Sequence, residues 1–465
     1  MCGKIVKTSF HCVENPVKHT SIVWKTIRFR TGVLGRGHVV VLVLVAEANA
    51  FSVRFGLRSK AGDGKVAATG KESEMNIGID RISFYTPAYY LPLDTLAEVR
   101  GAEADKFHIG LGQDTMAVPA PDQDIVTLAA NAGLPLVEAA GREGIGWVLF
   151  ATESGVDQSK AAALPCRGLL GLPETCRCVE LKEACYGGTA AVRLAEAIVR
   201  ADPKERVLVL AADVARYDLG SPGEPTQGAG AVAMLVAAEP GILSLDAARG
   251  VHTEDIMDFW RPNYREEALA EGRYSTRMYL ATLGEAYARY RAAGGTAVRE
   301  LDRLCFHMPF TKIARKGYSK LAKGDAGVEP SEEELAGKLD AGTAYNRKTG
   351  NTYAACVWEG LVSLLDTDGE DLGGKRVGFF SYGSGCMAEF FSGTVEKGYR
   401  GRLFAEAHRA MLEGRTALTY RQYEDIFQYG VPKDGGDHVF APYRSGAFRL
   451  AGVSGHKRKY EAAGE

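Results

Sequence analysis

The sequence lacks two patterns that would have assigned it to a membrane or to a secreted scaffold. The apolar run at residues 39–46 has only eight residues, whereas a transmembrane helix needs about 20. The nine cysteines are odd in number and irregular in spacing, which indicates a reducing compartment rather than a disulfide framework. Cys166, Cys176, Cys178 and Cys185 cluster without a zinc-type spacing or a nearby histidine, so we expect no metal site there.

An excess of positive charge is also missing. The formal net charge is −2. Residues 1–74 contain 12 lysine and arginine residues against 5 acidic ones, whereas the remainder contains 44 against 53. Net acidity in the main body argues against nucleic acid as a partner. A local basic patch could still hold an anionic substrate.

The chain is long enough for two halves that each bury a core, with 465 residues of which 46% are hydrophobic. We predict such halves at 75–240 and 241–465. Residues 1–74 carry no motif of the main body, so we interpret them as an N-terminal extension, disordered or translated from a misplaced start. Residues 71–72 (Lys-Glu) can be encoded by AAG-GAG, a ribosome-binding sequence two codons before Met75.

From Met75 onward, strand-like and helix-like segments alternate, as is typical of an α/β enzyme. Residues 206–212 are almost continuously apolar, which predicts a strand covered on both faces. In the first half, strands are predicted at 78–84, 146–152, 177–181, 206–212 and 231–238, and helices at 124–140 and 190–199. In the second half, strands are predicted at 304–306, 376–381 and 387–395, and a helix from 351 to 365.

The second half repeats the order of the first half. Matching positions are Glu153 with His307, Cys185 with Asn351, and Asp213 with Gly383. Two βα units related by a pseudo-twofold axis would bring the polar members of these pairs to facing strand and helix ends. Ligands of α/β proteins bind at such ends. The sequence therefore predicts a duplicated fold with its site between the halves.

Cys185 lies between a predicted strand and a predicted helix. Unpaired N–H groups and the macrodipole at a helix start favour a thiolate. Gly187 and Gly188 would let another group approach the sulfur. A lone cysteine is more often a buried packing residue, but a cysteine with His307 and Asn351 elsewhere in the chain indicates thiol-based acyl transfer. The histidine and the amide could then bind a carbonyl oxygen.

Each partner also has a purely structural interpretation. Glu153 could cap a turn or pair with Lys160, and His307 could be a satisfied core residue. The basic residues just beyond His307 could form a solvated helix face or contact phosphates. These residues are Lys312, Arg315 and Lys316.

Six ordered motifs resemble one enzyme family, hydroxymethylglutaryl-CoA synthase, and its bacterial branch most of all. The resemblance runs from Met75 towards the C-terminus and weakens after Gln428. The motifs are Ala-Thr-Glu153-Ser, Glu-Ala-Cys185-Tyr-Gly-Gly-Thr, Gly-Glu-Pro-Thr226-Gln-Gly-Ala-Gly, Asp258-Phe-Trp-Arg-Pro, Cys-Phe-His307-Met-Pro-Phe-Thr-Lys312 and Phe-Ser-Tyr-Gly-Ser384-Gly.

The resemblance implies a thiolase-like fold, a homodimer, a cytoplasmic location and condensation of acetyl-CoA with acetoacetyl-CoA in the mevalonate route. Cys185 would carry the acetyl group, Glu153 would remove a methyl proton, and His307 would bind or protonate the ketone oxygen. No metal or redox cofactor is implied, since the CoA thioesters are substrates. The resemblance also assigns Tyr217, Thr226, Asn351 and Ser384 to the substrate pocket, Ser275, Lys312 and Lys316 to CoA, and Asp213 and Asp258 to support of the site.

One segment departs from the family pattern. Residues 268–272 read Ala-Leu-Ala-Glu-Gly where the family commonly has Pro-x-Val-Asp-Gly, which affects the expected geometry near Ser275 and not the reaction class. Two alternative functions remain open. A ketoacyl synthase shares Cys-His-Asn but condenses by decarboxylation and needs no carboxylate base, so Glu153 argues against it. A non-catalytic thiolase-fold scaffold would not be acetylated on Cys185.

Overall fold

The computed structural model describes residues 31–34, 38–47, 50–58 and 75–463, and the chain divides into two compact units, Met1–Ser73 and Glu74–Glu465. In the first unit, three antiparallel strands form a sheet with β2 in the centre. They are β1 (Thr31–Leu34), β2 (His38–Glu47) and β3 (Ala50–Arg58). The interpretation of residues 1–74 as an extension falls largely outside the described residues and stays a prediction.

The second unit alternates strands and helices, as the sequence predicts. Its strands are β4 (Ile77–Tyr85), β5 (Tyr89–Pro92), β6 (Thr115–Val118), β7 (Ile145–Ala151), β8 (Arg177–Leu181), β9 (Arg206–Val214), β10 (Ala229–Ala238), β11 (Leu243–Thr253), β12 (Phe259–Trp260), β13 (Leu269–Ala270), β14 (Arg303–Phe306), β15 (Arg376–Gly383), β16 (Met387–Val395), β17 (Thr416–Ala417), β18 (His438–Val439), β19 (Phe448–Ser454) and β20 (Lys457–Ala462).

Eleven α-helices accompany these strands within residues 75–463. They are α1 (Leu93–Arg100), α2 (Ile125–Ala140), α3 (Ala163–Leu169), α4 (Gly187–Ala201), α5 (Gly272–Ala292), α6 (Ile313–Ala326), α7 (Glu332–Thr343), α8 (Asn346–Thr349), α9 (Cys356–Thr367), α10 (Ala405–Glu413) and α11 (Tyr420–Gln428). Among the described residues, no helix combines the length and the apolar character needed to cross a membrane.

One nine-stranded sheet organises this unit, in the order β14-β15-β16-β11-β4-β10-β9-β7-β8. The order is mirrored about the junction of β11 and β4, so that β14 corresponds to β7, β15 to β9 and β16 to β10. Pairing is parallel in β14–β15 and β7–β9, and antiparallel in β15–β16, β16–β11, β9–β10 and β10–β4. This is the duplicated arrangement that the sequence predicts. The boundary between halves at residue 240 stays a prediction.

Strand β9 shows why the sheet has a core on each face. Residues 207–212 are fully buried, and alternate side chains enter different hydrophobic clusters. Val207, Val209 and Ala211 pack with residues of α4 and α9, whereas Leu208 and Leu210 pack with residues of α2. Side chains of a strand alternate between faces, so a continuous apolar run fits only a strand covered on both sides. Helices α4 and α9 therefore share one face.

The sharing of one face brings the segments before α4 and α9 together. A Cβ built on Gly188 would lie 2.2 Å from the carbonyl oxygen of Ala354, a separation that no side chain tolerates. Glycine is therefore required at the start of α4. It lets the turn that carries Cys185 meet the segment that carries Asn351.

The prediction of a helix starting at Asn351 was wrong. Residues Tyr353–Ala355 form a 3₁₀ turn, and α9 begins only at Cys356. Gly350 and Tyr353 have φ angles of 80° and 45°, which lie in the left-handed region that an α-helix cannot use. Asn351 thus lies between two residues with left-handed φ angles, in an irregular segment that precedes α9.

We predict that a chain beginning at Met75 is folded and as active as the full chain. Every catalytic candidate and every hydrophobic cluster described lies within residues 75–463. The comparison is between the two purified chains, by thermal unfolding and by turnover. A truncated chain that is insoluble or inactive would contradict the interpretation of residues 1–74 as dispensable.

Candidate active site

Cys185 and Glu153 are in direct contact. Glu153 follows β7 and Cys185 precedes α4, and the Cys185 Sγ donates a hydrogen bond of 3.0 Å to Glu153 Oε1. The turn between β8 and α4 is tight, since the N–H of Tyr186 binds the carbonyl of Glu183 and Ala184 has a φ of 41°. A non-glycine residue in this region is strained, and here the strained turn presents the thiol to the carboxyl group.

The ionisation state of this pair differs from the expectation. Burial, followed by the neighbouring Glu153, raises the pKa of the Cys185 thiol well above its usual value. The expectation that the helix start favours a thiolate does not hold, because burial disfavours the charged form of the thiol. Burial and the charge of Asp213 also raise the pKa of Glu153, to about 8. The thiol thus keeps its proton until a base removes it, and Glu153 already accepts its hydrogen bond.

Glu153→Gln should make the protein more stable than the wild type at pH 8 but not at pH 5. Unfolded Glu153 ionises near pH 4.5, whereas the folded group holds its proton up to about pH 8. Between these values the folded state binds more protons than the unfolded state, so the wild type loses stability as the pH rises. Glutamine does not titrate. Each pKa unit is worth about 1.4 kcal/mol, so we expect a gain on the order of 1 kcal/mol or more in urea unfolding at pH 8.

Equal pH dependence of unfolding in the two proteins would show that the Glu153 carboxyl group ionises normally in the folded state. Because glutamine has nearly the shape of protonated glutamate, the pH 5 measurement is the internal control for changes in packing.

Asp213 joins three segments of the site. Its fully buried carboxylate accepts hydrogen bonds from the Thr152 hydroxyl at 2.7 Å and from the N–H groups of Glu153 and Ser154, both at 2.9 Å. Its other oxygen accepts the N–H of Ala354 at 3.0 Å. A buried carboxylate with this many donors is held in one orientation. Asp213 therefore fixes the end of β7, which carries Glu153, against the segment that carries Asn351.

Asn351 and Thr226 are also brought together. The Asn351 N–H donates to the Thr226 carbonyl at 3.2 Å, and its side-chain oxygen accepts the N–H of Tyr353 at 2.9 Å. The amide nitrogen is the group left to bind a substrate oxygen. The Tyr217 ring packs edge-on to Phe259, with 6.2 Å between centroids, and Phe259 packs against Tyr353 at 5.7 Å. Tyr353 belongs to the same small hydrophobic cluster as Cys185, and Phe259 packs against that cluster.

His307 follows β14, the strand that mirrors β7. Its backbone N–H donates a hydrogen bond to the Phe380 carbonyl at 2.8 Å, and its backbone carbonyl accepts one from the Tyr279 hydroxyl at 2.7 Å. The ring is only 2% exposed, and its Nδ1 has no hydrogen-bond partner within residues 75–463. Burial lowers the pKa of His307 to about 3. The imidazole is therefore neutral and can donate one N–H to a substrate oxygen, but it carries no positive charge to stabilise a thiolate.

Asp258 joins the segment that carries Ser275 to the segment that carries Ser384. Its fully buried carboxylate accepts bonds from the Ser275 hydroxyl at 2.9 Å, the Tyr382 hydroxyl at 2.8 Å and the Gly385 N–H at 2.9 Å. Ser384 lies between the last two and is partly buried. The departure at residues 268–272 leaves Ser275 in the first turn of α5, tied to Asp258.

The three basic residues after His307 have different surroundings. The Lys312 ammonium group donates to the Ile109 carbonyl at 2.9 Å. Arg315 is paired with Glu332 at 2.7 Å and with Asp340 at 2.8 Å. Lys316 is exposed and lies 5.4 Å from the centre of the Phe310 ring. Of the three, Lys312 and Lys316 are thus the ones available to an anionic ligand.

A cavity of about 1110 Å³ opens beside the site. Glu153 borders it, whereas Cys185 and His307 do not. Sequence reasoning missed Arg261, which borders the same cavity and whose guanidinium group donates to the Glu153 carbonyl. Arg261 stands in the Asp258-Phe-Trp-Arg-Pro motif, so the motif was noticed but the role of this arginine was not.

The fold and the site together define an acyl-transferring condensing enzyme of the thiolase type, because a cysteine in contact with a carboxylate lies in a duplicated α/β fold. The same fold places a neutral histidine after the strand that mirrors β7 and an amide on the segment bound to Asp213. The family model for the N-terminal part of hydroxymethylglutaryl-coenzyme A synthase matches residues 73–240, and the model for its C-terminal part matches residues 243–343 and 326–429. The chain belongs to the hydroxymethylglutaryl-coenzyme A synthase family.

Relatives and solved structures agree with this assignment. The hydroxymethylglutaryl-CoA synthase of Enterococcus faecalis is 44% identical over 360 residues, which cover 77% of this chain and 94% of that protein. A polyketide biosynthesis 3-hydroxy-3-methylglutaryl-ACP synthase of Bacillus subtilis is 31% identical, covering 76% of this chain and 88% of the relative.

Among solved structures, an HMG-CoA synthase complexed with CoA superposes with a TM-score of 0.80 at 39% identity, covering 84% of this chain and all of that one. MvaS in complex with 3-hydroxy-3-methylglutaryl coenzyme A gives a TM-score of 0.76 at 34% identity, covering 84% of this chain and 99% of that one. These matches confirm the family, the fold and the reaction class predicted from the sequence.

Proposed function

We propose that the chain condenses acetyl-CoA with acetoacetyl-CoA to give 3-hydroxy-3-methylglutaryl-CoA and CoA, as a step of the mevalonate route. The observation that carries this proposal is the 3.0 Å contact between the Cys185 thiol and the Glu153 carboxyl group. A nucleophile and a base within hydrogen-bond reach are what an acyl transfer followed by a proton abstraction requires.

In the first step, the Cys185 sulfur attacks the thioester carbonyl of acetyl-CoA. The thiol proton moves to Glu153 and then to the departing CoA sulfur, so that an acetyl thioester forms on Cys185 and free CoA leaves. Because the pKa of Cys185 is high, the thiol proton has to leave during this step, and Glu153 provides the assisted route for it.

In the second step, ionised Glu153 removes a proton from the methyl group of the acetyl thioester. The resulting carbanion attacks the ketone carbon of acetoacetyl-CoA, and a carbon–carbon bond forms. The ketone oxygen becomes an alkoxide and takes up the proton that Glu153 removed from the methyl group, so that it becomes the hydroxyl of the product and Glu153 is ionised again. The neutral imidazole of His307 and the amide of Asn351 are the donors assigned to this oxygen. Water then hydrolyses the thioester to Cys185, which frees the new carboxylate and restores the thiol.

The alternatives explain the geometry less well. A ketoacyl synthase drives condensation by loss of carbon dioxide, so it needs no carboxylate in contact with its cysteine. A non-catalytic scaffold has no reason to hold a strained turn, a buried carboxylate and a thiol together, since each costs stability.

We assign the active form to a cytoplasmic homodimer, because acyl-CoA substrates are intracellular and one edge of the sheet is open. Strand β8 is the last strand of the nine-stranded sheet and pairs only with β7 within residues 75–463. Its Val179 is 40% exposed. An open edge with an apolar residue suits pairing with a second copy. Light scattering after size-exclusion chromatography measures the mass, and a monomer at micromolar concentration would contradict this assignment.

The test of the proposed reaction is release of CoA that depends on both thioesters. Acetyl-CoA alone should give at most one equivalent of CoA per Cys185, and addition of acetoacetyl-CoA should start turnover with formation of the six-carbon product. Turnover with malonyl-CoA and release of carbon dioxide would favour the ketoacyl synthase alternative. Absence of both labelling and turnover would favour the scaffold.

A further inference from the structure

A buried carboxylate on α9 holds both sides of the Asn351 segment. The Glu359 side chain is 1% exposed, and its two oxygens accept different hydroxyl groups. The Thr349 hydroxyl donates to Oε1 and the Thr352 hydroxyl donates to Oε2, each at 2.5 Å. These threonines stand two residues before and one residue after Asn351, and both are fully buried.

No cation explains the burial of this charge. Within residues 75–463, Glu359 makes no ion pair, and Arg415 is the cation whose charge acts on it. Arg415 instead binds the Lys348 carbonyl at 2.9 Å and packs on the Tyr90 ring. Burial raises the pKa of Glu359 to about 7, while the two threonine hydroxyls oppose that rise. A buried carboxylate with no paired cation costs free energy even when hydroxyl groups bind it, so its contacts with the Asn351 segment require an explanation other than stability.

The segment held by Glu359 contains the groups that complete the site. Asn351 supplies the amide, and the N–H of Ala354 binds Asp213 at 3.0 Å, which in turn binds the N–H of Glu153. Gly350 and Tyr353 have positive φ angles. Residues 350–352 belong to no regular element. Two backbone bonds hold them, from the Gly350 N–H to the Asn346 carbonyl and from the Asn351 N–H to the Thr226 carbonyl, and the Glu359 contacts fix the threonines on either side.

We propose that Glu359 is a positioning residue that, through Thr349 and Thr352, fixes the Asn351 amide and the Ala354 N–H for the condensation step. It touches neither substrate nor reacting atoms. The predicted effect on kcat rests on the proposed function. The predicted loss of a fixed conformation at residues 349–355 does not.

Glu359→Leu tests the positioning role because leucine is apolar and can accept neither hydroxyl. We expect kcat to fall roughly 10–100-fold, the scale of a small misplacement of a catalytic group, with KM for both thioesters within about twofold. Hydrogen–deuterium exchange of the peptide covering 349–355 should become faster. Glu359→Gln should recover most of kcat, because its carbonyl accepts one hydroxyl and its amide donates to the other threonine. The Thr349 hydroxyl can then turn to the Tyr345 carbonyl, 3.1 Å away.

Ser363→Ala is the matched control. Ser363 is fully buried on the same helix, donates to the Ala341 carbonyl at 2.6 Å and accepts the Tyr345 N–H, but it does not contact residues 349–352. This variant should have a lower melting temperature than the wild type, while its kcat stays within about twofold. If it loses as much kcat as Glu359→Leu, or if Glu359→Leu keeps the wild-type kcat, Glu359 is only a structural residue.

If Glu359→Leu does not fold, Thr352→Val tests the positioning role instead, because valine keeps the branched shape of threonine and removes the hydroxyl that donates to Glu359. A lower kcat with little change in melting temperature would support the inference, and an unchanged kcat would overturn it. A wild-type protein that forms no product would contradict the proposed function. In that case, hydrogen–deuterium exchange of the peptide covering residues 349–355 in the variants would still test whether Glu359 holds this segment in position.

Discussion

Cys185→Ser should form no detectable acetyl-enzyme and should lose turnover by roughly 10³-fold or more. A serine hydroxyl is a much weaker nucleophile than a thiol, and it would have to lose its proton in a buried position where charge is disfavoured. The measurement is mass spectrometry after incubation with acetyl-CoA alone. The wild type should gain one acetyl group on the peptide that contains Cys185, and hydroxylamine should remove it.

Cys178→Ser is the control for this experiment. Cys178 lies on β8, and within residues 75–463 it is the one cysteine that is not buried in the single chain, so it is the control for nonspecific acetylation of a neighbouring thiol. The acetyl label should be unaffected by this substitution. A label on Cys178 or on the buried Cys305, retained in Cys185→Ser, would overturn the assignment of the nucleophile.

The labelling rate should also increase with pH. Burial keeps both the Cys185 thiol and the Glu153 carboxyl group protonated at neutral pH, so the reactive arrangement, with Glu153 ionised, becomes populated as the pH rises towards 8. This behaviour separates a base-assisted thiol from a preformed thiolate, whose labelling would be nearly independent of pH in this range.

The regular part of the fold could be predicted from the sequence because periodicity reports burial. Residues 206–212 were predicted to be covered on both faces, and the structure shows alternate side chains in two cores. The mirrored positions of Glu153 and His307 also followed from the order of strands, since Glu153 comes two residues after the end of β7 and His307 one residue after the end of β14.

The contacts that define the site could not be predicted, because they join residues far apart in sequence. Asp213 binds the N–H of Ala354, 141 residues away, and no local pattern indicates such a bond. Glu359 lies in an apolar helix pattern, where the sequence shows a charge but not the two threonines that bind it. The expectation of a thiolate at Cys185 did not hold for a related reason. The helix start is visible in the sequence, whereas the depth of burial is a property of the whole fold.

Glu153→Gln should separate proton abstraction from acetyl transfer. The methyl group of an acetyl thioester is a very weak carbon acid, so a positioned base must take its proton during condensation. Glutamine keeps the shape of the side chain but cannot accept this proton. We expect condensation to fall by roughly 10²–10⁴-fold or more, the scale of a general base. Acetylation of Cys185 should fall less, because the departing CoA sulfur can take the thiol proton.

The measurement therefore compares two rates in one variant, acetyl-enzyme formation with acetyl-CoA alone and product formation after acetoacetyl-CoA is added. Glu153→Ala should behave like Glu153→Gln in condensation, which excludes steric effects of the amide. Exchange of the acetyl methyl protons with deuterated water should occur in the wild type and disappear in both variants, because Glu153 is the carboxyl group in contact with Cys185. If either variant condenses at nearly the wild-type rate, or if malonyl-CoA restores full activity by decarboxylation, Glu153 is not the base and the ketoacyl synthase alternative takes precedence.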